Sequence, residues 1–149
     1  CALCESLGAT KAVNYREEDF EEALRAATDG RGVDVILDMV GGTYIPKNIR
    51  LLAPDGRLVF IAFLGGSKAE VDFNRLMRHR LQIHGSTLRP QSIEAKGRIA
   101  ESLRAKVWPL LASGAIRPII DSRFPLAKAA DAHALMESSS HMGKILLMV

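Results

Sequence analysis

The sequence has no long apolar run and few metal-binding or thiol residues. Its 149 residues include two cysteines and four histidines. No apolar stretch reaches the roughly 18 residues that a membrane span requires. The first residues also lack the basic leader and long apolar stretch of a signal peptide. We therefore expect no membrane segment and a cytoplasmic location.

The cysteines and histidines do not form a recognisable metal or redox motif. Cys1 and Cys4 have the C-x-x-C spacing, but no second pair accompanies them. Leu3 and Leu7 favour an ordinary helix around these thiols. Metal-ligand spacing is also absent from the histidines, so no metal site is expected. The histidines are His79, His84, His133 and His141.

Charge gives no sign of a nucleic-acid partner. The net charge is +3, from 20 basic and 17 acidic residues. The densest basic group contains no aromatic residue and no Lys/Arg stripe extends it, which favours a solvated helix face over a nucleic-acid patch. This group consists of Arg75, Arg78, His79 and Arg80.

Motifs that hold phosphates or activate a nucleophile are absent as well. There is no G-x-G-x-x-G, no Walker loop, and no nucleophile with an evident base, so no catalytic residue is assigned. Asp34, Asp38 and Asp55 are isolated carboxylates. Asp38 stands near a strand end, where a turn or capping role is favoured over a functional one.

The sequence does contain strands that alternate with helices. Residues 33–40, 58–63 and 81–88 are apolar runs, and residues 18–28 have the apolar spacing of an amphipathic helix. The near-continuous run at 33–40 indicates a strand buried on both faces, as in a parallel sheet. Short glycine-rich turns between such elements predict an α/β fold with a mainly parallel sheet.

Further elements complete this prediction. Lys11–Tyr15 is predicted as a short strand, and Asp55-Gly56 as a turn. Ser92 is predicted to cap a helix whose last turn Pro109 disrupts, and Gly114 ends that helix. Its apolar stripe is Ile99, Leu103, Val107 and Leu111. An extended segment at 116–124, a helix at 127–138 and a strand at 144–149 follow.

Small residues follow the predicted parallel strands. The predicted strands end in Gly41-Gly42, in Leu64-Gly65-Gly66 and in the segment 85–88. In open α/β sheets, ligands bind beyond the carboxyl ends of the strands, and glycine lets a ligand approach the backbone. The alternative is that these turns need glycine for their own geometry.

An ordered series of motifs resembles the medium-chain dehydrogenase/reductase superfamily. The series begins with Leu7–Arg16 (LGATKAVNYR) and Gly32–Gly42 (GVDVILDMVGG), and continues with Asp55–Val59 (DGRLV), Ile83–Leu88 (IHGSTL) and His141–Leu147 (HMGKILL). Within the superfamily, the series is most similar to the zinc-free, zeta-crystallin-like quinone oxidoreductases. The resemblance implies hydride transfer from NADPH to a quinone, and a dimer.

The resemblance also implies positions for the cofactor. Tyr15 would lie by the adenosine ribose near a 2′-phosphate, and Gly41 and Gly42 along the cofactor. The nicotinamide would be flanked by two segments, and two residues would reach the cofactor from the C-terminal segment. The two segments are Phe63, Leu64 and Gly65, and Ser86, Thr87 and Leu88; the two residues are His141 and Lys144.

The same family pattern places two strands and a glycine-rich loop before the first of these motifs. We therefore expect an incomplete doubly wound, Rossmann-type parallel sheet without its first two strands and that loop. The expected division is a partial dinucleotide-binding domain at 1–115 and a C-terminal segment at 116–149 that returns toward a catalytic domain. The fragment alone is expected to be inactive and to bind NADPH weakly, whereas the intact parent is expected to prefer NADPH to NADH.

Two other functions remain open from the sequence. One is a different zinc-free reductase of the superfamily, acting on an alcohol or an enoyl thioester. The other is a non-catalytic module for dimerisation or docking. In the order 3-2-1-4-5-6, the missing strands would leave a gap beside 33–40. We expect another polypeptide to fill it, rather than a second copy or a rearrangement that pairs 12–15 with 33–40.

Overall fold

The computed structural model describes residues 1–149, which form two compact units, Cys1–Pro90 and Gln91–Val149. This division differs from the boundary at 115/116 expected from the sequence, which stays a prediction about the domains of the parent protein. No helix combines the length and apolar character that crossing a bilayer requires.

The first unit contains four helices and a three-stranded sheet. In chain order they are α1 (Ala2–Ser6), α2 (Phe20–Ala27), β1 (Val33–Asp38), α3 (Tyr44–Leu51), β2 (Leu52–Phe60), α4 (Asn74–His79) and β3 (Gln82–Gly85). The strands are parallel, in the order β1-β2-β3. The predicted α/β class is confirmed, as is the order of these three strands.

The β1–β2 pairing contains an irregular stretch. Val33 pairs with Leu52 but Val35 pairs with Arg57, so β2 has extra residues between the two pairs. Asp55, with φ of 63°, lies in this stretch, where the sequence predicted a turn. Its carboxylate accepts two hydrogen bonds of 2.7 Å from Arg80. The chain therefore turns locally at Asp55, but the residues on both sides of the turn belong to β2.

One face of the sheet carries the core of the first unit. α3 and α4 pack against β2, and the buried cluster joins Ile45 and Ile49 of α3 to Leu52, Leu58 and Leu81. The two α3 isoleucines are four residues apart and therefore share one helix face. Burial of this stripe is what orders α3 directly after the end of β1.

Two predictions about the sheet are wrong. Lys11–Tyr15 is not a strand. Its pairing with β1, the rearrangement that the sequence disfavoured, is also absent. β1 is not buried on both faces, because Val35 and Leu37 are 51% and 62% exposed. β1 is an edge strand of this sheet, and Lys11–Tyr15 does not pair with its open edge. Phe20 and Leu24 of α2 line a cavity together with Val35 and Leu37, so this face of β1 is only partly covered.

The second unit contains α5 (Ile93–Lys106), α6 (Trp108–Ala112), β4 (Ile120–Pro125), a 3₁₀ turn (Leu126–Lys128), α7 (Ala129–Glu137) and β5 (Lys144–Met148). β4 and β5 form a parallel pair. Ser92 caps α5 by accepting a hydrogen bond of 3.2 Å from the Ala95 amide, as predicted. The helix breaks at Val107, ahead of Pro109, because proline lacks the amide that would continue it.

Candidate functional site

The carboxyl ends of the three parallel strands lie side by side. Asp38 pairs with Phe60, and Phe60 pairs with Gly85. The Ser86 amide donates to the Phe60 carbonyl at 2.9 Å, which extends the ladder by one bond. The segments that follow the strands, at 39–42, 61–66 and 86–88, therefore begin at one edge of the sheet.

Two of these segments are hydrogen-bonded to each other, and we call residues 39–42 and 63–66 the clasp. The Gly65 amide donates to the Val40 carbonyl at 2.7 Å, and the Leu64 amide to the Met39 carbonyl at 3.0 Å. In the opposite direction, the Gly42 amide donates to the Gly66 carbonyl at 2.7 Å. The clasp thus fixes the segment after β2 against the segment after β1.

Gly41 and Gly42 are required by the clasp itself. Their φ angles are 68° and 52°, in the left-handed region that favours glycine. A Cβ on Gly41 would overlap the Gly66 carbonyl and the Phe63 ring, and a Cβ on Gly42 would overlap the Gly65 carbonyl. Loop packing therefore explains both glycines, whatever else approaches them.

The clasp presents apolar side chains to solvent. Phe63 is 46% exposed and Leu64 is 80% exposed, although Phe63 also contacts the Phe60 ring at a centroid distance of 5.0 Å. Ser86, Thr87 and Leu88 are exposed beyond the end of β3. This edge can accept a flat, partly apolar group. The hydroxyl groups of Ser86 and Thr87 follow the neighbouring strand end.

Tyr15 lines a cavity of about 340 Å³ together with Arg16, Phe20, Tyr44 and Lys47. Tyr44 is the first residue of α3, two positions after Gly42, so the cavity lies at the carboxyl end of β1. Lys47 forms a 2.5 Å ion pair with Asp19. That hydrogen bond, with a second from the Glu21 amide, lowers the pKa of the Asp19 carboxyl.

Arg16 differs from Lys47 in having no acidic partner for its side chain. Its backbone amide donates to Asn14 Oδ1 at 3.2 Å, which orders the turn, but its guanidinium forms no ion pair. Arg16 is exposed and lines the Tyr15 cavity. The cavity therefore combines aromatic rings with a guanidinium that forms no ion pair, although Glu17, Glu18 and Asp19 also line it.

His141 and Lys144 belong to the second unit. Lys144 is exposed at the start of β5, and its amide donates to the Ile119 carbonyl at 2.8 Å. His141 Nδ1 is buried and has no hydrogen-bond partner, and the same holds for the Ser122 hydroxyl of β4. Lys144 is thus fixed within the β4–β5 pair, whereas His141 lies three residues before β5.

Comparison with known proteins identifies the family. A family model described as zinc-binding dehydrogenase matches residues 7–147. The quinone oxidoreductase of Rattus norvegicus is 29% identical over 143 residues, which are 95% of this chain and 42% of that protein. The chain belongs to the zinc-binding dehydrogenase family. The resemblance to medium-chain dehydrogenases/reductases of the quinone oxidoreductase type is confirmed.

The solved structures that this chain matches include a quinone oxidoreductase and an alcohol dehydrogenase. The quinone oxidoreductase of Thermus thermophilus, described also in complex with NADPH, matches with a TM-score of 0.78 and 31% identity, over 99% of this chain and 46% of that one. An NAD-dependent alcohol dehydrogenase matches with a TM-score of 0.77 and 28% identity, over 99% and 40%. The chain spans less than half the length of these relatives, and its sheet is Rossmann-type.

The zinc in the family description has no ligand set within these residues. No group of three or more His, Cys, Asp or Glu side chains is close enough to hold a metal ion. No chemical step is therefore attributed to zinc in this chain.

Sequence reasoning missed one residue of the site and underrated another. Asn48, on α3, donates from Nδ2 to Asp38 Oδ2 at 2.9 Å, and both residues are only 4% exposed. The available signal was an asparagine at an apolar position of α3, between Ile45 and Ile49. Asp38 has the turn role that the sequence favoured, since its Oδ1 accepts from the Val40 and Gly41 amides.

Proposed function

We propose that this chain forms part of an oxidoreductase that transfers a hydride from NADPH to a quinone or a similar electrophilic acceptor. The observation that carries the proposal is the meeting of three strand ends at one edge, in a chain of the zinc-binding dehydrogenase family. In open α/β sheets this edge is where ligands bind. When bound, NADPH supplies the hydride.

The proposed cofactor-binding residues of the first unit lie at two places, the edge formed by the strand ends and the Tyr15 cavity. Phe63, Leu64 and Gly65, with Ser86–Leu88, would flank the nicotinamide, because they follow adjacent strands. Their exposed apolar surface would exclude water from one side of the ring. Gly41 and Gly42 would lie along the cofactor between this edge and the Tyr15 cavity.

Selectivity for NADPH would come from the Tyr15 cavity. A 2′-phosphate favours nearby cationic and hydrogen-bonding groups, and Arg16 is a cation without an acidic partner. Lys47 contributes less, since Asp19 neutralises it. The Thermus thermophilus relative, described in complex with NADPH, supports the same cofactor.

Steady-state kinetics of the full-length protein tests the proposal. We expect NADPH oxidation with a quinone panel, and a lower efficiency with NADH. Arg16→Gln should raise KM for NADPH about tenfold, because a hydrogen bond to a charged group contributes about 1.5–3 kcal/mol. KM for NADH should stay constant. Arg78→Gln, which removes an exposed arginine from α4, is the matched control.

The same assay separates the alternatives. Equal or better efficiency with NADH, and turnover of an alcohol instead of a quinone, would favour an NAD-dependent alcohol dehydrogenase like the structural relative. Turnover of enoyl thioesters would indicate an enoyl reductase. No turnover with any panel would favour a dimerisation or docking module.

The 149-residue chain should bind NADPH weakly, since it has no glycine-rich motif for the diphosphate. Calorimetry on this chain provides the measurement. A dissociation constant in the low micromolar range corresponds to about 7–8 kcal/mol of binding free energy and would contradict this expectation.

A further inference from the structure

Both oxygens of the Asp38 carboxylate accept hydrogen bonds. Oδ1 accepts hydrogen bonds from the Val40 amide at 2.6 Å and the Gly41 amide at 3.1 Å. Oδ2 accepts from Asn48 Nδ2 at 2.9 Å. A turn needs only the first oxygen, so the buried bond to α3 requires a separate explanation.

That second bond ties the clasp to the helix. Asn48 lies on the face of α3 that packs on the sheet, beside the core residues Ile45 and Ile49. Asp38 in turn sets the backbone of Val40 and Gly41. A buried asparagine in an apolar face costs free energy unless it is paired, and Asp38 is its partner here.

The clasp then passes this constraint to the segment after β2. Val40 and Met39 provide the carbonyls that accept from Gly65 and Leu64, and Gly42 donates to Gly66. Phe63 and Leu64 are therefore placed by a hydrogen-bonded path that starts at Asn48. The residues that precede Gly41 on that path are Asn48, Asp38 and Val40, and none of them needs to contact a ligand.

We propose that Asp38 and Asn48 are a positioning pair for the nicotinamide side of the site, an inference that rests on the proposed function. The pair holds residues 39–42 against residues 63–66, so that Phe63, Leu64 and Gly65 keep the geometry that a bound nicotinamide requires. Neither side chain contacts the cofactor. Their effect is on cofactor affinity through the clasp.

An exchange of the two side chains tests the pair. Asn48→Asp places two carboxylates against each other, so the clasp should open. Combining it with Asp38→Asn restores one donor and one acceptor with the same net charge as the wild type. Asn74→Asp, at the exposed first position of α4, adds the same charge away from the clasp and is the control.

Two measurements follow each variant. In the 149-residue chain, amide hydrogen exchange at Gly42, Leu64 and Gly65 should accelerate about tenfold or more in N48D and recover in the double variant. In the full-length protein, KM for NADPH should rise about tenfold in N48D with a smaller change in kcat, and also recover. Recovery of KM is the readout that a purely structural role elsewhere in the core would not produce.

The outcomes are distinct. If N48D does not fold, recovery of folding and of KM by the double variant supports the pair, and failure to recover overturns it. Unchanged exchange in a folded N48D, or an unchanged KM in an active protein with an opened clasp, also overturns it. A wild-type protein with no NADPH oxidation overturns the proposed function and the cofactor role, while the exchange data still show whether the pair holds the clasp.

Discussion

Residues 1–90 and residues 91–149 have similar apolar patterns but bury them to different extents. In the first unit, Ile49, Leu52 and Leu58 are 3%, 0% and 0% exposed. In the second, Ala132 is the only buried hydrophobic residue, and the α5 stripe leaves Ile99 and Leu103 43% and 45% exposed. An amphipathic pattern thus identifies the face of a helix, but not whether that face has a partner.

The two units are also stabilised by different interactions. In the first unit a continuous cluster links α3, β2 and the segment before β3. In the second, the parallel β4–β5 pair and local helix caps provide most of the order. Units of about 60 residues bury only about 60% of the surface of the unfolded chain, a smaller fraction than larger domains bury, and are marginally stable. Variants should therefore have larger effects on stability in residues 1–90.

The largest expected difference is between two leucines. Leu58→Ala removes a side chain with no exposed surface and should lower the free energy of unfolding by about 2–5 kcal/mol. Leu103→Ala removes a half-exposed side chain from α5 and should cost less than about 1 kcal/mol. Urea unfolding followed by circular dichroism measures both. Equal losses would show that the α5 stripe is buried in solution.

Replacing one glycine in each unit by alanine should change the free energy of unfolding in opposite directions. Gly32 has φ of 86°, and a Cβ there would overlap the Leu51 carbonyl, so Gly32→Ala should cost at least about 1–2 kcal/mol. Gly97 lies inside α5 with nothing within 4 Å of its Cβ position. Gly97→Ala should gain about 0.8–1 kcal/mol from helix propensity. Thermal unfolding of both variants is the check, and a destabilised Gly97→Ala would contradict the open surroundings of α5.

The strands could be predicted from local signals, because 33–40, 58–63 and 81–88 are apolar runs that contain or precede glycine. Their order came instead from the doubly wound pattern that the family resemblance implies. The strand at Lys11–Tyr15 could not be predicted correctly in the same way, because a strand also needs a partner edge. No strand beside it exists in this sheet. The open side of β1 has the same origin.

The site was predictable only where its residues follow strands. Gly41, Phe63 and Ser86 lie at one edge, because parallel strands share the direction of their carboxyl ends. The bond between Asp38 and Asn48 spans ten positions and depends on how α3 turns back over the sheet. A single polar residue in an apolar stripe shows that a partner is needed but does not identify it.

The smallest expected effect concerns charge, and it too separates the two units. Glu21 in α2 accepts from Arg50 at 2.6–3.1 Å and from Arg25 at 3.3 Å, with its side chain 13% exposed. In the second unit, Lys128 and Asp131 lie 3.7 Å apart and are 66% and 60% exposed. Burial raises the pKa of Glu21, but the hydrogen bonds from Arg50 and Arg25 outweigh it, so the pKa is lowered overall.

A lowered pKa in the folded state means that Glu21 stabilises the protein above the ordinary value of 4.5 and stops doing so as the pH falls through its folded-state pKa. Glu21→Gln should therefore cost up to about 1 kcal/mol near neutral pH, since Arg50 is half-exposed. The difference from the wild type should shrink toward zero in acid, as the pH falls below the folded-state pKa of Glu21. Asp131→Asn should change little at either pH. Urea unfolding at both pH values measures this, and a Glu21→Gln cost that persists in acid would show that the side chain acts through packing rather than through its charge.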